Sequence, residues 1–313
     1  MKAIVLKGFG GVDNLIGDEV PVPVPGDDEV LIKVVAAAVN PIDIKTRKGR
    51  GAAEIIRRYD PMILGWDISG DVIKKGRKVK SFREGDSVFG MINFPGHGRA
   101  YAEYATAPVS HIARKPDNIS HEEAAGASLA ALTAWQLLKY RSGIKKGSAV
   151  LVHAAAGGVG HFAVQMAKYM GANVAATSSS ANIGFLSELG VMHHVDYEKD
   201  RFEEMLRNFD FVLDAIGSDY IDRSLKVLKK GGKIISIPSG ASEDVAEKAQ
   251  ARGMIGQNFR TSSSGEDMKE IAGLLEAGIV KSVVTGVFSL DEVRDAHLQM
   301  ESGKTRGKII LKI

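Results

Sequence analysis

The sequence predicts an α/β protein in which a doubly wound parallel-sheet domain of the Rossmann type is inserted into a β-rich domain. Strand and helix patterns alternate through the middle of the chain, as expected for successive βαβ units. A glycine-rich turn joins the first of these strands to a helix. The C-terminal segment is too short to fold alone and is expected to complete the N-terminal part. We therefore assign residues 1–120 and 263–313 to the β-rich domain and residues 121–262 to the inserted domain.

The first third of the chain is predicted to be β-rich, because short apolar runs alternate with turn signals. The strand candidates are Lys2–Leu6, Val30–Val39, Ile68–Ile73, Ser87–Met91 and Tyr101–Thr106. The segment Pro21–Pro25 predicts an extended connector or a sheet edge, since its three prolines cannot donate to a ladder. Ser120 and Glu123 form a capping-box pattern, which predicts a helix over Ala124–Leu138.

The alternating pattern of the inserted domain places each strand before a helix. The predicted strands are Ala149–His153, Asn173–Thr177, His194–Asp196, Phe211–Asp214, Lys233–Ile237 and Met254–Phe259. The predicted helices between them are Gly160–Met170, Asn182–Leu189, Asp200–Asn208 and Asp219–Leu228. The tail is predicted to contain a helix, a strand, a second capped helix and a last strand, over Glu266–Glu276, Ser282–Phe288, Ser289–Met300 and Lys308–Ile313.

The turn after the strand Ala149–His153 is the most informative local feature. Gly157 allows the backbone to approach a pyrophosphate, and Gly160 allows the next helix to lie close to the strand. The helix N-terminus offers N–H groups and a positive dipole end to the anion. Ala155 replaces the first glycine of the usual fingerprint, so an ordinary glycine-rich βα turn is the alternative interpretation. The candidate cofactor-binding residues of this turn are Ala156, Gly157, Gly158, Val159 and Gly160.

Composition argues against several classes of function. The 313 residues carry a formal net charge of +3, which gives no reason to expect nucleic-acid binding. Cysteine is absent, so disulfides and thiolate metal sites are excluded, and His193–His194 has no third ligand nearby; we expect no metal. No stretch approaches the roughly 20 apolar residues of a membrane span, so we expect no membrane partner and, by default, a cytoplasmic location.

Short segments in a fixed order carry a family resemblance. They are Val39–Asp43 with Arg47, Gly65–Gly70, Gly85–Val88, Tyr101–Tyr104, Thr133–Trp135, Ala154–Gly160, Val195–Tyr197 and Gly307–Leu311. Together they resemble the zinc-independent quinone oxidoreductase group of the medium-chain dehydrogenase/reductase superfamily. The resemblance covers essentially the whole chain and implies a GroES-like catalytic domain around the Rossmann domain.

The resemblance also implies a reaction. The zinc-dependent branch of the superfamily has a cysteine where Asn40 stands and a His-Glu pair where Trp66 and Asp67 stand. Oxidation of an alcohol with zinc as Lewis acid is therefore not expected. What the resemblance implies is hydride transfer from NADPH to a quinone or an α,β-unsaturated carbonyl compound, with the active site in the cleft between the domains.

The preference for NADPH over NADH also has support in the residues. An NAD site usually places Asp or Glu about 20 residues beyond the glycine turn, and Thr177, Ser178 and Ser179 stand there instead, followed by Ser180. Hydroxyl groups can donate to a 2′-phosphate. Relatives often carry a basic residue where Ala181 stands, and a polar loop is the alternative interpretation. The remaining cofactor-binding candidates are Tyr197, Thr133 and Gly217.

The catalytic candidates lie on one segment: Asn40, Asp43, Lys45 and Arg47. The Asn40 amide can donate to an acceptor oxygen, and the two cations can meet a developing anion. A turn after a strand is the alternative for Asn40 and Asp43, and a solvent-facing position is the alternative for Lys45 and Arg47.

Two further hypotheses concern function, and one concerns assembly. The acceptor can instead be an alkenal or an enoyl thioester. The chain can also be a non-catalytic NADPH-binding sensor or structural protein, because hydride transfer needs no distinctive side chain. A homodimer is expected through Met254–Phe259, the terminal strand of the parallel sheet.

Overall fold

The computed structural model describes all 313 residues, and the backbone forms two compact units. Unit 1 comprises Met1–Leu132 and Ser262–Ile313, and unit 2 comprises Thr133–Thr261. Residues 121–132, which the sequence pattern assigns to the inserted domain, lie in unit 1. The reason is that the helix His121–Gly126 packs on the strands Glu29–Val39 and Asp67–Lys75.

The N-terminal part of unit 1 is mainly β-structure. Its elements are β1 (Lys2–Leu6), β2 (Leu15–Glu19), β3 (Glu29–Val39), α1 (Pro41–Arg47), α2 (Ala53–Ile56), β4 (Asp67–Lys75), β5 (Ser87–Met91), β6 (Tyr104–Pro108), β7 (Ala113–Arg114) and α3 (His121–Gly126). The pattern did not predict β2, α1, α2 or β7. The segment Pro21–Pro25 belongs to neither a helix nor a strand, which agrees with the predicted connector and not with a sheet edge.

The helix predicted over Ala124–Leu138 is divided into α3 and α4 (Leu129–Leu137). Asp67, at the start of β4, accepts the backbone N–H of Leu129 at 2.9 Å and so caps a new helix start. Gly126 is packed closely, because a Cβ there would lie 2.9 Å from Ser282 Oγ. A distant carboxylate therefore ends a helix that local propensity would continue.

Unit 2 alternates strands and helices as predicted. After α4 its elements are β8 (Ala149–Val152), α5 (Gly158–Tyr169), β9 (Asn173–Ser178), α6 (Ile183–Glu188), β10 (His193–Asp196), α7 (Phe202–Met205), β11 (Phe209–Asp214), α8 (Asp219–Leu225), β12 (Leu228–Ser236), α9 (Val245–Gln250) and β13 (Ile255–Asn258). Helix α7 is shorter than the predicted Asp200–Asn208, and Asn208 has a left-handed φ of 64°.

The six strands of unit 2 form one parallel sheet in the order β10-β9-β8-β11-β12-β13. The order reverses direction between β8 and β11, which is the doubly wound arrangement that was predicted. In such sheets ligands bind outside the carboxyl ends of the strands, near the reversal. The strand β8 and the N-terminus of α5 lie at that point.

The tail returns to unit 1. It comprises α10 (Gly265–Glu276), β14 (Val284–Ser289), α11 (Val293–Glu301) and β15 (Lys308–Lys312). The last strand pairs antiparallel with β3, with Ile309 opposite Val39, which confirms that the tail completes the N-terminal sheet. That sheet runs β14-β15-β3-β4-β5-β7, with β6 also paired to β3. None of the helices is both long and apolar enough to cross a membrane.

Candidate functional site

The glycine turn of unit 2 has no room for side chains at its inner positions. A Cβ on Gly160 would lie 2.3 Å from the carbonyl oxygen of Ala154 and 2.6 Å from Ala155 Cα. Ala154 itself has a left-handed φ of 50°, which reverses the chain after β8. The close approach of α5 to the turn, predicted from Gly160, is therefore observed.

The outer positions of the turn remain accessible. Gly157 caps α5, and Gly157, Gly158 and Val159 are half-buried. The first turn of this 12-residue helix carries no acidic residue. Its first N–H groups have no carbonyl one helical turn earlier to bond, so they remain donors for an anion. Ala156, only 5% exposed, lines the turn. The residues present thus fit a pyrophosphate.

The hydroxyl run after β9 divides into buried and accessible members. Thr177 is fully buried, and its Oγ1 lies 3.0 Å from His153 Nδ1. Ser178 is 3% exposed, and its Oγ lies 2.7 Å from His194 Nε2. Ser179 is half-buried and accepts a hydrogen bond from Asn182 at 3.1 Å. Only Ser179 among the three combines a hydroxyl with access for a ligand.

Asp196 is a carboxylate at this edge that the sequence reasoning missed. It lies opposite Ser178 in the parallel pairing of β10 with β9 and is 6% exposed. Backbone and Lys199 contacts lower its pKa against the opposing effect of burial. Its neighbour Tyr197 is 48% exposed and donates its backbone N–H to Ser178 O at 3.2 Å. Asp196 is revealed by the order of strands in the sheet, which places β10 beside β9.

The other two cofactor candidates lie in unit 2 as well. Gly217 has φ of 82°, and a Cβ there would lie 2.4 Å from Ala241 O. Its N–H donates to both carboxylate oxygens of Asp214, at 3.0 and 3.1 Å. Thr133 is 5% exposed on α4. Gly217 is thus a backbone position that excludes a side chain at the carboxyl end of β11.

In unit 1, the side chain of Asn40 is held at both ends. Its Nδ2 donates to Asp67 Oδ2 at 2.8 Å, and its Oδ1 accepts from the ammonium of Lys308. Asn40 is 2% exposed and caps α1. The predicted candidate is therefore buried and engaged, and Lys308 is a residue of this cluster that the sequence reasoning did not single out.

Asp43 is fully buried beside the same cluster. Its Oδ2 accepts the backbone N–H of Asn40 at 2.7 Å, closing a capping box. Burial raises the pKa of Asp43 to about 7, and the charge of Asp67 adds to that rise, whereas the backbone hydrogen bond from Asn40 and the charge of Lys308 oppose it. Burial likewise raises the pKa of Asp67 to about 6. Both carboxyls therefore bind protons more readily than exposed ones do.

Arg47 is buried away from solvent in a second chain of contacts. Its Nε donates to His297 Nδ1 at 3.3 Å, its Nη1 to Gly10 O at 2.6 Å, and its Nη2 to Glu301. His297 Nε2 lies 3.3 Å from Tyr101 Oη. Arg47 therefore ties α11 to α1 and is enclosed by protein groups.

Lys45 differs from its three neighbours in exposure. Asn40, Asp43 and Arg47 are buried, whereas Lys45 is half-buried on α1. The structure thus brings Asn40 and Asp43 together, connects Arg47 to Tyr101 through His297, and leaves Lys45 half-buried. Lys308 and Tyr101 fall within the segments that carry the family resemblance, so that was the available signal for them.

Comparison with known proteins gives matches over the whole chain. Residues 26–117 match the family model "Alcohol dehydrogenase GroES-like domain", and residues 189–311 match "Zinc-binding dehydrogenase". The 2-methylene-furan-3-one reductase of Solanum lycopersicum is 36% identical, over 99% of this chain and 79% of its own. The chloroplastic NADPH-dependent alkenal/one oxidoreductase of Arabidopsis thaliana is also 36% identical, over 99% and 79%. The quinone oxidoreductase structure from Coxiella burnetii superposes with a TM-score of 0.95 at 36% identity, over 100% and 99%.

The name of the second family model mentions zinc. At the positions compared with zinc ligands this chain has Asn40, held by Lys308, and Trp66, which is fully buried and donates to Gly96 O at 2.7 Å. The structure contains no group of three or more His, Cys, Asp or Glu side chains able to hold a metal ion. The GroES-like domain and the doubly wound sheet are confirmed by these matches and by the sheet order.

Proposed function

Because the chain belongs to the zinc-independent quinone oxidoreductase group of the medium-chain dehydrogenase/reductase superfamily, we propose that it reduces α,β-unsaturated carbonyl compounds and quinones with NADPH. The observation that carries the proposal is the accessible N-terminus of α5 beyond a turn that excludes side chains. The names of the tomato and Arabidopsis relatives support an enone or alkenal as acceptor and NADPH as donor.

The residues of unit 2 would hold the dinucleotide by its phosphates. The N–H groups at Gly158 and Val159 face an anion without competition from side chains. Ser179 keeps a hydroxyl donor after it accepts from Asn182, and it and exposed Tyr197 are assigned to the 2′-phosphate end. When bound, NADPH supplies a hydride, and the protein supplies binding, orientation and charge stabilisation.

We propose that the ammonium of Lys45 stabilises the negative charge that develops on the acceptor oxygen. Asn40 has both ends of its amide occupied, and the guanidinium of Arg47 is enclosed by Glu301, His297 and Gly10. Of the two candidate cations, Arg47 is buried and Lys45 is half-buried, so Lys45 is the one that an acceptor can reach. A positioned donor to an oxyanion is worth about 10² to 10³ in kcat. Solvent supplies the proton that completes the reduction.

We propose a homodimer formed through β13. This strand is the edge of the parallel sheet, and Ile255 on it is 45% exposed. An edge strand presents unpaired N–H and C=O groups that a second copy can satisfy. Replacing Ile255 with Lys should convert a dimer to a monomer in light scattering, and a monomeric unmodified protein would refute this assembly.

The function is tested by mixing the purified protein with NADPH or NADH and adding a simple enone or a simple quinone. We expect oxidation of NADPH with both acceptors, slower oxidation of NADH, and a saturated ketone as the enone product by mass spectrometry. An allylic alcohol would contradict reduction at the double bond. NADPH binding without turnover on either acceptor would favour the non-catalytic hypothesis.

A further inference from the structure

Lys308 is a lysine that the proposed reaction does not use and that is only 2% exposed. An ammonium leaves water at a large cost unless a partner of opposite charge or good hydrogen bonds compensate. Burial lowers the pKa of Lys308, while Asp67 and Asp43 oppose that effect. The burial of this ammonium on β15 must therefore be explained by the groups that surround it.

The geometry shows which group Lys308 controls. Its Nζ bonds to Asn40 Oδ1 and lies 3.5 Å from Val39 O. On the other side of the same amide, Asn40 Nδ2 donates to the carboxylate of Asp67 and lies 3.4 Å from Ala38 O. A flipped amide would turn N–H groups toward the ammonium and an oxygen toward the carboxylate. The charges on both sides therefore fix one orientation of Asn40.

This clamp acts on the start of α1. Asn40 is the N-cap residue, and its backbone N–H donates to Asp43 in the first turn. Lys45 lies on the same seven-residue helix, little more than one turn further along. A shift of the Asn40 backbone or side chain would therefore change where the Lys45 ammonium stands.

We propose that Lys308 and Asp67 are positioning residues that clamp the Asn40 amide and, through it, fix the start of α1 and the placement of Lys45 against the acceptor. The inference rests on the proposed function, in which Lys45 meets the acceptor oxygen. Neither Lys308 nor Asp67 touches the acceptor, since both are buried.

The first test compares the variants Lys308→Met and Lys308→Met/Asp67→Asn in the full chain. The single variant leaves the Asp67 carboxylate without its cation, and the double variant removes that uncompensated charge. We expect the double variant to recover thermal stability but not turnover. Its kcat should stay about 100-fold below that of the unmodified protein, the loss that a displacement of about 1 Å causes. Affinity for NADPH, measured by fluorescence, should be unchanged.

The double variant separates positioning from charge balance. If Lys308 serves only to neutralise Asp67, the double variant regains kcat along with stability, and the proposal is overturned. If Lys308 positions the amide, kcat stays low in a protein that is folded and binds NADPH. Should the single variant not fold, the double variant still gives this answer.

The second test does not depend on turnover. With [15N]asparagine labelling, the side-chain amide signal of Asn40, assigned with Asn40→Ala, should show slow hydrogen exchange that is lost in Lys308→Met/Asp67→Asn. Fast exchange in the unmodified protein would overturn the clamp. If the unmodified protein reduces neither acceptor, the proposed function fails, and the amide signal still accepts or rejects the clamp.

Discussion

The two candidate binding regions of this chain differ in composition, since one is formed mainly by backbone and the other mainly by side chains. In unit 2 the turn before α5 consists of backbone and small residues, and its specificity comes from the absence of side chains. In unit 1 the segment around Asn40 consists of buried charged and polar side chains, and Asn40 bonds to both Asp67 and Lys308. The glycine turn leaves backbone N–H donors available to a ligand, whereas most donors around Asn40 bond to neighbouring protein groups.

The two regions also differ in how far apart along the sequence their contacting residues lie. The close contact that requires a glycine at position 160 is with Ala154, six positions earlier. The contacts that hold Asn40 join it to a residue 27 positions away and to another 268 positions away. We therefore expect changes at the accessible positions of the turn, Gly158 and Val159, to act mainly on binding, and changes around Asn40 to act on turnover and stability.

The largest expected effect is loss of NADPH binding in Gly158→Asp. The new carboxylate would face the pyrophosphate at the N-terminus of α5, where two negative charges repel. We expect the Kd for NADPH, measured by fluorescence, to rise by more than about 100-fold, equivalent to about 2.7 kcal/mol. Gly273→Asp is the matched control, since Gly273 is an exposed helical glycine with open space around it. Normal NADPH binding by Gly158→Asp would show that the turn is not the cofactor site.

The corresponding change in unit 1 is Lys45→Met, which should act on turnover. Removing the accessible cation should lower kcat for an enone by about 100-fold while the Kd for NADPH stays unchanged. Lys48→Met is the control, because Lys48 is 40% exposed and pairs with Glu301. Equal losses in the two variants would indicate a general effect of surface charge rather than a contact with the acceptor.

The contrast in sequence separation also explains what the sequence could predict. The positions of the six strands along the chain, the turn and its tight glycine follow from local patterns, because periodicity and turn chemistry are read within a few residues. The capping boxes at Ser120 and Ser289 are present as predicted. The return of the last strand to unit 1 followed from its shortness and is seen in the pairing of β15 with β3.

The features that could not be predicted depend on distant partners. The break between α3 and α4 requires Asp67, which is 62 positions from Leu129. Helix α1 was not predicted, and a turn was the alternative interpretation for Asn40 and Asp43, because these residues suit both a turn and a capping box. The burial of Arg47 depends on His297 and Glu301 from α11. A family motif marked Lys308 as relevant, but only the fold shows what it touches.

Two buried groups, Asp43 in unit 1 and His153 in unit 2, should contribute to stability with opposite dependences on pH. The pKa of Asp43 is raised from 3.8 to about 7, so its folded form binds the proton more tightly than the unfolded form does. Its contribution to stability is complete below about pH 4 and is lost as the pH rises to about 7. Burial lowers the pKa of His153 from 6.5 to about 3, so its contribution is complete above pH 6.5 and is lost as the pH falls toward 3.

Single-tryptophan variants can separate these two responses, because Trp66 lies in unit 1 and Trp135 in unit 2. From pH 4 to 6.5 we expect the stability of Asp43→Asn to rise relative to its parent, and the stability of His153→Gln to fall relative to its parent. Each slope is at most about 1.4 kcal/mol per pH unit for one group. His97 and His297 in unit 1 also have lowered pKa values, so the relevant quantity is the difference between variant and parent. Parallel pH curves of parent and Asp43→Asn would show that Asp43 has no raised pKa.

The smallest expected effect distinguishes the hydroxyls of Thr177 and Ser179, which lie two positions apart in unit 2. Thr177→Val removes a contact with His153 in the buried interior, so it should lower stability by about 1 kcal/mol and leave the ratio of NADPH to NADH affinity unchanged. Ser179→Ala removes a hydroxyl that a ligand can reach, so it should lower that ratio about fivefold with little change in stability. Titrations with both cofactors, together with thermal melts, measure the two quantities. If Thr177→Val changed the ratio and Ser179→Ala did not, the 2′-phosphate would have to bind by another route than the accessible hydroxyl, and the division between buried and accessible members of this run would lose its functional meaning.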